Sequence, residues 1–178
     1  MTRKSNNVPV SVSKFDPSKQ LARGDLTIQN DVLLVNFKWS KTRQFGHSRK
    51  IQLVSIPGSC LCPVTAYKNV LKTVKCELAD SAFSYNLSKS KLGIVTYAQF
   101  QNKLRKLISL TGRQCNLFSS HSFRRGGCTW AFKSCVESEL IKFHGDWMSL
   151  IYTEYLSYDF EQKLSVSERM SSRILNEL

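Results

Sequence analysis

A histidine and an arginine near the middle of this 178-residue chain are spaced so that they can act together. His121 and Arg124 lie three residues apart in the segment HSFRRGG at positions 121–127. On a helix, side chains three apart share one face and can converge on a single ligand. A guanidinium with its fork of donors, beside an imidazole that can hydrogen-bond or carry a proton, suits a phosphate group. Such a pair is common by chance, so its meaning depends on the residues around it.

A second group of candidate residues follows about twenty positions later. The segment HGDWMS at 144–149 is followed by three tyrosines, which are Tyr152, Tyr155 and Tyr158. With this segment, the chain resembles the catalytic domain of tyrosine recombinases, the phage-integrase family. Within the family it is most similar to the eukaryotic transposon-encoded recombinases of the Crypton and DIRS type. The family's ordered set is a first Arg, a Lys in a β-hairpin, a His-x-x-Arg pair, a His or Trp, and a Tyr. All members of that set find a match across essentially the whole chain.

The resemblance implies a catalytic role for six residues, which are Arg3, Lys41, His121, Arg124, Trp147 and Tyr155. The two arginines match the pair that clamps the non-bridging phosphate oxygens. The imidazole assists by hydrogen bonding or as a base, and Lys41 matches the hairpin lysine that protonates the departing 5′-oxygen. Trp147 matches the residue that packs and hydrogen-bonds where many family members have a histidine.

The implied activity is breakage and rejoining of DNA strands in recombination or integration. A phenol has an ordinary pKa near ~10, and surrounding cations favour its deprotonated, nucleophilic form. Attack by Tyr155 makes a 3′-phosphotyrosyl link that a free 5′-hydroxyl can reverse. The resemblance implies no metal and no cofactor. It implies double-stranded DNA as partner, a homo-oligomer on paired DNA sites, and a nuclear location if the host is eukaryotic, otherwise a cytoplasmic one.

Several of these assignments have alternatives. Tyr155 follows Trp147 by eight residues, but Tyr152 fits the nucleophile position if His144 is the third-box residue. Tyr158 is a further alternative. The hairpin role of Lys41 has three basic competitors, which are Arg43, Arg49 and Lys50. Trp147 would also suit a hydrophobic core.

The charge of the chain favours a polyanionic partner. The formal net charge is +13, distributed as +10 over residues 1–75, +7 over 76–133 and −4 over 134–178. A basic body most often binds nucleic acid, although ribosomal, histone-like and membrane-surface proteins share this feature. No apolar run approaches the ~20 residues of a membrane span.

The six cysteines show no paired C-x-x-C spacing. Cys60 and Cys62, with His47 nearby, would form at most half of a metal site. We predict reduced thiols in an intracellular protein.

Short strands are predicted in the first part of the chain. Alternation and turn residues indicate strands at 26–28, 32–37 and 50–56, the last ending at a Pro-Gly pair. A basic hairpin loop at 40–49 separates the last two strands. This loop is either a solvated charged tip or a finger laid against phosphates.

Helices are predicted after the strands. One begins at Pro63, and another begins at Thr96 with a capping box to Gln99 and ends at Gly112. Tyr97 belongs to the apolar stripe of the second helix and is expected in the core. Segments 121–134, 137–144 and 149–156 follow as short helices, with a polar C-terminal helix starting near Asp159. This order predicts an α+β fold, a small antiparallel sheet followed by a mostly helical body, like the catalytic domain of DNA breaking-rejoining enzymes.

The whole chain, residues 1–178, is expected to be one catalytic domain that lacks the family's N-terminal helices and DNA-clamping domain. Arg3 then lies two residues from Met1, on a terminus expected to fray. Asn6 stands where many members have an acidic residue, and Gly126-Gly127 would permit close packing or a backbone approach to DNA. The alternatives are therefore a catalytically inactive DNA-binding module derived from a transposon recombinase, and a basic structural or RNA-binding protein.

Overall fold

The computed structural model describes residues 3–39, 48–89, 91–156 and 158–177. The protein is α+β, as the sequence predicts, with antiparallel strands in the first half and helices prevailing in the second. Within the described ranges, no helix combines the length and the apolar character that crossing a membrane requires.

Three antiparallel strands form the main sheet. After a short helix α1 (Lys4–Asn7), strands β1 (Leu26–Gln29), β2 (Val32–Phe37) and β3 (Arg49–Val54) pair in that order. Residues of β2 alternate between partly and fully buried, so every second side chain faces the core. The structure confirms all three predicted strands, and the third ends two residues earlier than predicted. The predicted loop between β2 and β3, including Lys41, lies largely outside the described residues.

Helix α2 (Pro63–Thr73) covers one face of this sheet. It begins at the predicted proline and buries Val64 and Tyr67. The Cys62 thiol caps the helix by accepting from the Thr65 backbone N–H at 3.5 Å. Hydrogen bonds from Ser55 and Thr65 lower the pKa of Cys62 to about 6. This buried sulfur thus serves as a helix cap, while Cys60 is exposed.

A second hairpin was not predicted from the sequence. Strands β4 (Ser84–Ser88) and β5 (Lys91–Ile94) pair antiparallel, with Tyr85 opposite Gly93. The Tyr85 ring covers the glycine so closely that a β-carbon there would lie 2.6 Å from a ring atom. These strands are short and mostly exposed, so they lack the apolar alternation that reveals a strand in sequence.

The other α-helices of the described chain are α3 (Tyr97–Ser109), α4 (Ser120–Lys133), α5 (Ser138–Gly145) and α6 (Phe160–Glu177). The predicted Thr96 capping box of α3 is confirmed. The predicted helix at 149–156 is instead a 3₁₀ segment over Leu150–Tyr155. Its backbone is bound to α4 at Tyr152 and Tyr155, and short connecting segments of this kind commonly form the tighter i→i+3 bonds.

Two hydrophobic clusters hold these elements together. The first lies between the sheet and α2 and consists of Leu21, Leu33, Val35, Phe37, Ile51, Cys62, Val64, Tyr67 and Ala82. The second lies between α4, α5 and the 3₁₀ segment and consists of Cys128, Ile141, Trp147 and Tyr152.

Arg49 links the sheet to the second cluster. Its buried guanidinium donates from Nη1 to the backbone carbonyls of Phe143 at 2.9 Å and His144 at 2.8 Å. These carbonyls belong to the last turn of α5, where intrahelical donors run out and a cation is favoured. Arg49, which the sequence offered as an alternative to Lys41 for the hairpin role, therefore connects the sheet to α5.

Replacing Arg49 with methionine should destabilise the fold, because it leaves the α5 carbonyls without their charged donor. We expect Arg49→Met to lower the free energy of unfolding by about 3 kcal/mol, since hydrogen bonds to charged groups contribute ~1.5–3 kcal/mol each. The measurement is urea denaturation. Lys50→Met, at the exposed neighbouring position, is the matched control, and equal losses in both variants would contradict the prediction.

Candidate active site

Helix α4 presents the predicted His-x-x-Arg pair. Ser119 caps the helix, and its hydroxyl accepts from the His121 backbone N–H at 3.2 Å. Ser122 completes a capping box with Ser119. His121 is exposed, whereas the Arg124 side chain, one turn further on, is only 6% exposed. The first turn of α4 therefore sets the position of both candidates.

The same helix holds the tyrosine segment. The Cys128 thiol donates to the Tyr152 carbonyl at 3.6 Å, and the Thr129 hydroxyl donates to the Tyr155 carbonyl. Both contacts come from the turn that follows Arg124. A single rigid helix thus fixes the distance between the His-Arg pair and the backbone of both tyrosines.

A cleft of about 540 Å³ collects most of the predicted site. Its lining includes five of the six predicted residues, which are Arg3, His121, Arg124, Trp147 and Tyr155. Other described residues in the lining are Lys4, Ser5, Tyr97, Ser119, Ser120 and Ile151. The sixth predicted residue, Lys41, lies outside the described residues.

Arg3 reaches the cleft from an N-terminal segment that is tied to the rest of the fold. Asn6 is buried, its side-chain amide donates to the Trp39 carbonyl, and its own carbonyl accepts from the Leu21 N–H at 2.9 Å. The Nε of Arg3 is itself buried and makes no hydrogen bond within the described part of the chain. Asn6 thus anchors this segment to the rest of the fold, and the expected fraying of the terminus stays a prediction.

The Arg124 guanidinium is the most strongly perturbed cation of the cleft. Its central carbon lies 4.0 Å from the centroid of the Trp147 ring, within cation–π range. Burial, and next the positive charge of Arg3, lower the pKa of Arg124 to about 10. Arg124 still carries its charge at neutral pH. Two arginines facing one cleft create a site that favours an anion.

Trp147 reaches Arg124 through a tight reversal of the chain. Asp146 ends α5 in the left-handed conformation, with φ of 57°. The indole then folds back over Gly145, where any β-carbon would overlap its ring. Gly145 and Asp146 are site residues that sequence reasoning missed, and the helix-ending Gly-Asp pair before Trp147 was the available signal.

Tyr155 and its competitors occupy different environments. The half-buried Tyr155 ring lies edge-on to His121, with 5.6 Å between ring centroids, and 6.1 Å from Trp147. Tyr152 is only 2% exposed within the second cluster, and Tyr158 packs on Phe132. Neither is among the described residues that line the cleft. The structure thus brings Tyr155, of the three, to the His-Arg pair.

His144 is not among the described residues that line this cleft. It lines a separate cavity beside Phe37 and Tyr67, and burial lowers its pKa. The structure therefore places Trp147, and not His144, beside Arg124 and Tyr155.

The electrostatics of the cleft also act on His121. The partial desolvation of its ring lowers its pKa, and the charges of Arg124 and Arg125 lower it further. Because the pKa of His121 lies below the ordinary value of ~6.5, the imidazole is neutral at pH 7 and can accept a proton. Arg125 was not predicted as a site residue, yet its guanidinium lies 5.8 Å from the Tyr155 ring centroid.

Close packing, one of the two expectations for the Gly126-Gly127 pair, is wrong for Gly126. It is exposed, and a β-carbon there would meet no atom of the described structure within 4 Å. An approach of this backbone to a ligand stays a prediction.

Comparisons of the chain with protein-family models, with curated proteins and with solved structures found no match. Among the described residues, no group of three or more His, Cys, Asp or Glu could hold a metal ion.

Adding one methyl group to a glycine should have opposite effects at Gly145 and Gly126. Gly145→Ala displaces the Trp147 ring and should lower the free energy of unfolding by about 3 kcal/mol, the upper range for overpacking. Gly126→Ala meets open space on a helix and should stabilise by about 1 kcal/mol. Urea denaturation followed by tryptophan fluorescence measures both. A Gly145→Ala variant as stable as wild type would contradict the packing described here.

Proposed function

We propose that this chain is the catalytic domain of a tyrosine recombinase, which breaks and rejoins double-stranded DNA through a 3′-phosphotyrosyl intermediate. The observation that carries the proposal is the shared cleft of Arg3, His121, Arg124, Trp147 and Tyr155. These residues come from distant parts of the chain, and the family resemblance named each of them in advance. With the function we propose the family's catalytic fold, a homo-oligomer on paired DNA sites, and a nuclear location in a eukaryotic host.

In the proposed mechanism the scissile phosphate occupies the cleft. The guanidinium groups of Arg3 and Arg124 bind its non-bridging oxygens and stabilise the charge that develops on them during attack. The Trp147 ring stacks on the Arg124 guanidinium through a cation–π contact and so orients it. The arginines are thus positioned before the substrate arrives, which avoids reorganisation during the reaction.

Tyr155 is the proposed nucleophile. Its phenolic oxygen forms a bond to phosphorus while the bond between phosphorus and the 5′-oxygen breaks. The neutral His121, with its ring next to the phenol, accepts the phenolic proton. The covalent link keeps the energy of the phosphodiester bond, so a 5′-hydroxyl can later attack it and release Tyr155. Lys41 lies outside the described residues, and its role as a proton donor stays a prediction.

The charge distribution supports the DNA partner. Residues 1–133 carry +17 in total, and the described residues that line the cleft belong to this part except for Trp147, Ile151 and Tyr155. Binding to duplex DNA should therefore weaken steeply with salt, because basic residues release counterions from the phosphates. An inactive DNA-binding module would share this behaviour, and only chemistry separates the two candidates.

The test is covalent trapping on a nicked suicide duplex, from which the short fragment that carries the released 5′-hydroxyl diffuses away. We expect wild type to form an SDS-stable protein–DNA adduct and Tyr155→Phe to form none. Tyr152→Phe, which removes the hydroxyl of the buried neighbour, is the matched control and should keep the adduct. An adduct that survives in Tyr155→Phe contradicts the assignment, and salt-sensitive binding without any adduct favours the inactive module.

The pH dependence of trapping should report on His121. Its lowered pKa keeps the imidazole neutral down to pH values below ~6.5, so the rate should fall only at still lower pH, as the imidazole takes up a proton. Removing the Arg125 charge raises this pKa, and Arg125→Gln should therefore shift the acid limb of the profile to higher pH. Lys133→Gln, at the far end of α4, is the control and should leave the limb in place. A shift to lower pH in Arg125→Gln would contradict the assignment.

A further inference from the structure

A buried arginine outside the cleft has donors that no group of the described structure accepts. Arg23 begins a short 3₁₀ turn just before β1, and its side chain is only 4% exposed. Both Nη atoms are buried, and neither has a hydrogen-bond partner within the described part of the chain. A buried guanidinium without partners is costly, because it has lost the water that would solvate it. A group that supplies an acceptor to these atoms would therefore be bound favourably here.

The remaining donor of this guanidinium contacts a cysteine. The Nε of Arg23 donates to the Sγ of Cys76 at 3.0 Å. Cys76 lies in the loop between α2 and β4 and is partly exposed. Its sulfur is thus accessible to small molecules and at the same time in contact with a cation.

The backbone fixes the arginine relative to this loop. The Arg23 N–H donates to the Asp80 carbonyl at 2.7 Å, and the Gly24 N–H donates to the Leu78 carbonyl at 2.9 Å. Both acceptors follow Cys76 within four residues. The contact between guanidinium and sulfur is therefore built into the fold and does not depend on two mobile side chains.

Among the described residues, no carboxylate forms an ion pair with Arg23. The Asp25 carboxylate, two residues further along the chain, binds Lys38 Nζ at 2.7 Å and accepts from the Ala22 N–H at 2.9 Å. The Tyr67 ring centroid lies 5.9 Å from the guanidinium carbon, and the Tyr67 hydroxyl donates to two backbone carbonyls. Neither neighbour supplies an acceptor to the two Nη atoms.

We infer that Cys76 is a site of reversible oxidation by hydroperoxides, and that Arg23 binds the oxygen that the sulfur acquires. Nε and Nη2 share one edge of the planar guanidinium, and their N–H bonds point the same way. An oxygen on Sγ therefore meets a donor on Nη2 beside the one that Nε already provides. The inference does not depend on the proposed recombinase function, since neither residue is among the described residues that line the cleft.

The proposed reaction transfers one oxygen to sulfur. The Cys76 thiolate attacks the terminal oxygen of the hydroperoxide, an S–O bond forms, and the O–O bond breaks with its electron pair on the leaving oxygen. The leaving alkoxide or hydroxide takes up the proton that the thiol released. Sulfur is oxidised by two electrons to a sulfenic acid, and the peroxide is reduced to an alcohol or water. One free thiol then forms a mixed disulfide with loss of water, and a second thiol releases Cys76.

The first test exposes the reduced full chain briefly to hydrogen peroxide and measures sulfenic acid at each cysteine by dimedone labelling and mass spectrometry. We expect stronger labelling of Cys76 than of the exposed Cys60 and Cys135. Arg23→Met should lower the labelling of Cys76 on the order of tenfold, the factor that one hydrogen bond to a charged group provides. Arg113→Met, at an exposed position, is the matched control and should leave the labelling unchanged.

The second test needs no Arg23 variant and decides the matter if Arg23→Met does not fold. Because the new oxygen satisfies a buried charged donor, peroxide should raise the melting temperature of wild type by about 4 °C. Dithiothreitol should reverse this rise, and Cys76→Ser should not show it.

Three results overturn the inference. One is labelling of Cys76 that does not exceed that of Cys60 and Cys135. Another is equal labelling of Cys76 in wild type and in a folded Arg23→Met variant. The third is a melting temperature of wild type that peroxide does not raise, or that it raises equally in Cys76→Ser. None of these results bears on adduct formation by Tyr155, so the proposed function is tested separately.

Discussion

The burial of the charged Arg124 side chain is the constraint on which the rest of the site depends. Removing a guanidinium from water is costly unless other groups replace its solvation. The Trp147 ring provides part of this replacement, and its position requires a bare Gly145 and a left-handed Asp146. The end of α5 that carries these residues is in turn capped by Arg49 from the sheet. A continuous series of contacts therefore connects the sheet to the charge in the cleft.

Helix α4 relates this constraint to the other residues of the cleft. His121 and Arg124 project from its first turns, while Cys128 and Thr129 hold the backbone of the tyrosine segment one turn later. Because an α-helix is rigid over two turns, the distance from the His-Arg pair to Tyr155 does not depend on loops. The 3₁₀ segment can be short and irregular, since its ends are bound to the helix. Positioning of this kind is what the proposed reaction would require of the protein.

Much of this arrangement follows from local patterns. The strands of the main sheet, the start of α2 and the capping box of α3 were all predicted, because each depends on neighbouring residues alone. The β4–β5 hairpin was missed, since its pairing of Tyr85 with Gly93 has no periodic signature. The 3₁₀ form of Leu150–Tyr155 was also missed. It depends on contacts with α4 that lie more than twenty residues away.

The sequence by itself determined that His121 and Arg124 share a helix face, since helical spacing decides this without any partner. It also determined the excess of basic charge and the α+β order of elements. Only the tertiary structure decided which tyrosine meets the pair, because burial of Tyr152 and access of Tyr155 depend on how α5 packs against α4. It alone brought Lys4 and Tyr97 to the cleft, across more than ninety residues of chain. Contacts between distant segments arise from packing, and a local pattern carries no record of them.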